Sequence, residues 1–87
     1  MKIHVIYRPK SEHGTMVENY VREFAARRAI QIEPINIDTR DGAAEAILYG
    51  VMSYPAILIL KDDGGLLTSW EGSQLPLMDE VAAYARS

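Results

Sequence analysis

Ser11, Glu12 and His13 stand side by side and bring together a hydroxyl, a carboxylate and an imidazole. Those are the parts of nucleophilic catalysis, in which a base takes the hydroxyl proton and a third group orients the base. The chemistry requires all three to converge on one point, and consecutive residues seldom do. The preferred reading is a capped helix start with solvated polar side chains, so no catalytic residue is assigned. Arg8 and Lys10 could draw an anion to the same helix start, where free amides favour negative charge; a solubilising loop is the simpler account. His4 and His13 are the chain's two imidazoles. A zinc site takes about four protein ligands, or three plus water. Two distant histidines without a carboxylate at motif spacing do not supply them, and no metal is assigned. Asp62-Asp63 reads as a hairpin tip, since no EF-hand spacing follows it.

Cysteine is missing from all 87 residues. That count removes disulfides, thiolate metal sites, thiol nucleophiles and dithiol redox chemistry together. With 12 acidic against 9 basic residues the net charge is −3. Arg22, Arg27 and Arg28 are too sparse for a basic stripe, so nucleic acid is not an expected partner. An apolar share of 48% suits one domain over residues 1–87 with a modest core. The first apolar run, Ile3 to Tyr7, is too short for a signal-peptide core or a membrane span. No membrane association and a cytoplasmic location are therefore expected.

Seven elements must position these groups. Lys2 to Tyr7 is a dense β-branched and aromatic run, the pattern of a strand covered on both faces. Pro9 stops it. Met16, Val17, Tyr20, Val21, Phe24 and Ala25 then make one helical stripe. Its cap is either Ser11, which puts Glu12 in the first turn, or Thr15 in a capping box with Glu18. Ile30 to Asp38 reads as a second strand, with Pro34 marking an edge or a bulge. A short helix follows with Ala43, Ala44, Ile47 and Leu48 as its apolar face, and Gly50 can end it in the left-handed conformation. Ala56 to Leu60 is the clearest strand. Lys61 to Gly65 turns it into a returning strand, Leu66 to Glu71. Residues 72–76 form a loop, Pro76 suits a first helical turn, and Leu77, Met78, Val81, Ala82 and Ala85 line a last helix. Most aromatics fall in these packing patterns. Tyr54, beside Pro55, is the one whose ring could stand open to a ligand.

The order β-α-β-α-β-β-α, with a four-stranded mixed sheet flanked by three helices, resembles the thioredoxin-like fold in its short, glutaredoxin-sized form. The residues that carry the resemblance run from Ile35-Asn36-Ile37-Asp38, through Tyr49-Gly50-Val51-Met52-Ser53-Tyr54-Pro55, into the strand Ala56 to Leu60 and the hairpin at Gly64. Trp70-Glu71-Gly72 is similar to the aromatic-x-Gly that precedes the family's last helix. The resemblance implies a cis Tyr54–Pro55 bond and a groove walled by Tyr54 and Pro55, with Gly72 near by. It also implies a Cys-x-x-Cys or Cys-x-x-Ser pair where this chain reads Ser11-Glu12-His13-Gly14, Ser11 and Gly14 aligning with the cysteines to within one residue. A serine hydroxyl cannot attack a disulfide sulfur as a thiolate does. The family's redox activity is therefore not carried over.

What remains is a redox-inactive domain that binds a peptide or protein partner in a groove of Ser11, Glu12, His13, Gly14, Tyr54, Pro55 and Gly72, with no cofactor. One alternative is a regulatory or self-associating protein that uses another surface, as the circadian KaiB proteins do with a thioredoxin-like chain. Another is a glutathione-binding, transferase-like protein in which Ser11 polarises the substrate thiol. The oligomeric state is not readable from the sequence.

Overall fold

The computed structural model describes residues 1–72 and 74–85, apart from the Ala85 side chain. Ser73 of the expected 72–76 loop and the Ala85 side chain of the expected last stripe lie outside the described residues. The elements are β1 (Lys2–Tyr7), α1 (Gly14–Arg28), β2 (Ile32–Asn36), α2 (Arg40–Leu48), β3 (Ala56–Leu60), β4 (Leu66–Glu71) and α3 (Met78–Ala85). Their order is the one the sequence implies. The sheet runs β2-β1-β3-β4. β1 and β2 are parallel, and β3 is antiparallel to both β1 and β4.

Two cores lie on the two faces of this sheet. On one, Ile3, Val5, Ile57 and Ile59 pack with Val17 and Phe24 of α1 and Val81 and Ala82 of α3. On the other, Ile6, Leu58 and Leu60 pack under Ala46 of α2, with Ile37 and Val51 from the flanking loops. All five residues of β3 are buried, which is why that strand reads as an unbroken apolar run.

Several local expectations are corrected. Neither Ser11 nor Thr15 caps α1. The helix starts at Gly14 behind His13, makes no side-chain cap bond and has no acidic residue in its first turn. The Glu18 carboxylate of the expected capping box instead accepts from the Tyr7 hydroxyl at 3.0 Å. Met16 stands exposed rather than in the stripe. β2 is shorter than the apolar run that suggested it, although Pro34 does lie on an edge strand, as expected. In α3, Leu77 and Pro76 precede the helix, and Leu77 is 70% exposed.

The face of α2 is the largest correction. Gly42 and Ala46 point inward, while Ile47 and Leu48 are 82% and 72% exposed. A Cβ at residue 42 would overlap the Asn36 carbonyl oxygen. The helix thus seats its backbone against the end of β2, and only a face of small residues fits there. Thr39 caps it, its hydroxyl accepting from the Gly42 amide at 3.0 Å. Gly50 leaves it at φ +67, the left-handed turn that glycine adopts without strain.

Candidate functional site

Strand register gathers the expected site at one end of the sheet. Tyr7 pairs with Asn36, Ile6 with Ala56 and Ala56 with Glu71. The loop after β1, the Tyr54–Pro55 step before β3 and Gly72 after β4 therefore all emerge together. The Gly72 amide donates to the Pro55 carbonyl at 3.0 Å. The Tyr54–Pro55 peptide bond is cis and Pro55 is fully buried. Among the described residues no hydrogen bond joins residues 11–14 to Tyr54, Pro55 or Gly72.

The Ser11–Gly14 segment folds back on Arg8. Ser11 Oγ donates to the Arg8 carbonyl at 2.6 Å. His13 Nε2 accepts from the Arg8 amide at 3.2 Å. The serine proton thus points at a peptide oxygen, and the nearest imidazole uses its lone pair on a peptide N–H. Glu12 is exposed and makes no bond to either. Ser11 and His13 brace a tight turn and do not form a nucleophile–base pair. The expectation that this segment caps the helix with solvated side chains holds only for the exposure of Glu12, since no side chain caps α1. Gly14 closes the turn: a Cβ there would overlap the Pro9 carbonyl oxygen, so this position has no room for a side chain. Arg8, one of the two cations expected to draw an anion, reaches instead to Asp38 at 3.0 Å.

The opposite wall contains residues that the sequence did not single out. One Glu71 carboxylate oxygen accepts from the amides of Met52 and Ser53, at 2.6 and 3.0 Å. That bond fixes the loop that presents Tyr54. Tyr54 is half-buried against the α2-side core rather than open to solvent. Its ring helps line an open cleft of about 500 Å³ with Ile37, Ala43, Ile47, Val51 and Met52. Met52 is 85% exposed at its rim. The signal available in the sequence was the small-residue pair Gly42 and Ala46, which turns Ile47 outward. A second hollow, about 510 Å³, lies at the far end of β1 and β2. It is bordered by His4, which lies on the interior strand β1. His4 Nδ1 is 2.8 Å from Glu45 and Nε2 is 3.3 Å from Glu33, and the side chain is 13% exposed.

Tyr7 lies beneath the site. Its hydroxyl is pushed above the ordinary tyrosine range, first by burial and then by the Glu18 carboxylate that accepts its proton. Among the described residues no group of three His, Asp or Glu side chains could hold a metal ion, and no helix is long and apolar enough to cross a membrane.

This geometry matches solved structures over nearly the whole chain. Thioredoxin 1 of the thermophilic eubacterium Thermosipho africanus superposes with a TM-score of 0.69 at 17% identity, covering 99% of this chain and 91% of its own. The fold is thioredoxin-like. The germline-specific thioredoxin Deadhead of the fruit fly Drosophila melanogaster gives 0.72 at 16% identity, over 97% of this chain and 76% of its own. Mitochondrial thioredoxin 3 of Saccharomyces cerevisiae gives 0.69 at 14% identity, over 97% and 74%. No protein-family model and no curated protein matches the sequence. The thioredoxin-like frame is thus present without a single cysteine, and thiol–disulfide exchange has no atom to begin from.

Proposed function

We propose that this chain is a redox-inactive thioredoxin-like domain that binds an extended peptide or a protein segment at the end of the sheet. The ligand backbone runs past Tyr54 and Pro55, between the 11–14 turn and Gly72. One of its apolar side chains enters the adjoining cleft. The observation that carries this reading is the pair Ile47 and Met52, 82% and 85% exposed, beside a cleft whose wall is Tyr54. Contiguous apolar surface of this kind marks interaction sites on soluble domains. The braced Ser11 and His13 support binding over catalysis, because both polar groups are already used by Arg8.

Affinity purification from the native cell, followed by amide-shift mapping of the captured partner on labelled protein, tests the proposal. Wild type recovers the partner, and Tyr54→Ala and Met52→Ser each lose it. Shifts concentrate on residues 11–14, 47–55 and 72. Equal recovery by all three proteins removes the groove from consideration.

A further inference from the structure

The two edges of the sheet end differently. Successive residues of a strand turn their N–H and C=O groups to opposite sides, so each edge strand offers every second residue to solvent. On β2 the Ile37 amide reaches inward to the Tyr7 carbonyl at 3.0 Å, so residues 33, 35 and 37 face β1 and residues 32, 34 and 36 face out. Pro34 has no N–H to offer. The Asn36 carbonyl already accepts from the Thr39 amide and hydroxyl, at 3.1 and 2.8 Å. That edge is closed at two of its three outward positions.

On β4 the Gly72 amide reaches inward to Pro55, in register with the pairing of Ala56 and Glu71. Alternation then gives Trp70 and Thr68 to β3 and turns the N–H and C=O of Ser69 and Glu71 outward. No described residue bonds them. β4 contains no proline and no lysine or arginine, the residues that commonly protect an edge. Its one charge, Glu71, has its carboxylate occupied by the Met52 and Ser53 amides. The bulge in the β3–β4 pairing lies at the other end, between Ile59 and Leu60, and leaves residues 68–71 regular.

We propose that the β4 edge is a self-association surface, on which a second copy of this chain pairs antiparallel about a two-fold axis at Trp70. The outward positions 69 and 71 flank residue 70 symmetrically and so form their own complement, as a two-fold interface requires. Ser69 exchanges both backbone bonds with the partner's Glu71, and Glu71 does the same with the partner's Ser69. Four hydrogen bonds then satisfy every outward group of the regular segment, and two four-stranded sheets become one continuous sheet. The two Trp70 residues meet on the α1/α3 side. Each Glu71 faces a serine rather than a like charge. The pairing is short, so the dimer is a weak one.

Sedimentation equilibrium from micromolar to millimolar chain concentration tests this, with amide exchange followed over the same range. Wild type dimerises, and the Ser69 and Glu71 amides gain protection as concentration rises. Emission from Trp70, the chain's one tryptophan, changes in step. Ser69→Pro deletes one outward N–H per chain, keeps the bonds to β3 and weakens the dimer by about tenfold or more. Ser69→Asp removes no backbone bond; it sets a carboxylate opposite the partner's Glu71 and weakens the dimer in a salt-dependent way. A chain that stays monomeric to millimolar concentration overturns the proposal, whether or not it captures another protein's strand there. So does a dimer that neither substitution weakens, or protection that appears on β2 or α2 instead.

Discussion

The two faces of the sheet receive similar strand residues and are covered in opposite ways. On one, α1 and α3 insert large side chains, and Phe24, Val17 and Val81 are fully buried. On the other, α2 contributes Gly42 and Ala46, settles close to the sheet and leaves Ile47 and Leu48 in solvent. The first arrangement spends its apolar side chains on the core. The second closes the core by proximity and leaves its larger apolar side chains exposed, Ile47 beside the cleft. One face therefore mainly stabilises the fold, and the other also presents a surface.

Substitutions can separate those roles. Phe24→Ala on the closed face should cost about 3–5 kcal/mol in denaturant unfolding, from lost transfer energy plus an unfilled cavity. A much smaller loss would mean that this face is not the main source of stability. Gly42→Ala should cost about 1–3 kcal/mol, because α2 must lift away from the Asn36 carbonyl; partner affinity should fall with it as the cleft widens. High pH probes the closed face through Tyr20. Burial, then the nearby Glu80 carboxylate, pushes its hydroxyl from 10.0 up to about 12. The folded state thus holds this proton more tightly than the unfolded state does. The associated stability is complete below pH 10 and is lost as pH rises toward about 12. Tyr20→Phe should flatten that decline in a series of alkaline denaturation curves. Ile47→Ser should change stability least, within about 0.5 kcal/mol, yet abolish partner capture. A destabilisation comparable with that of Gly42→Ala would show that Ile47 supports the core after all.

The sheet and its element order were legible because each strand carries its own signature. β3 is apolar throughout, β2 holds a proline that only an edge tolerates, and Asp63-Gly64-Gly65 sets the hairpin. The apolar face of α2 was not. Periodicity groups Ile47 and Leu48 with Ala43 and Ala44, but it does not register that Gly42 and Ala46 allow a backbone approach that larger residues forbid. The expected caps of α1 failed for a related reason: Tyr7 competes for Glu18, and Arg8 competes for Ser11. Pairings such as His4 with Glu45, or Glu71 with the Met52 amide, join residues far apart in the chain. No local pattern announces them.

Glu71 belongs to two surfaces at once. Its backbone lies on the open edge of β4, and its carboxylate holds the loop that carries Tyr54. A ligand that shifts that loop moves the anchor, and a strand added at the edge restrains it. Thermodynamic reciprocity then applies: whatever factor groove occupancy imposes on pairing at the edge, pairing imposes the same factor on groove affinity. One side chain would make occupancy of the groove and assembly of the sheet report on each other.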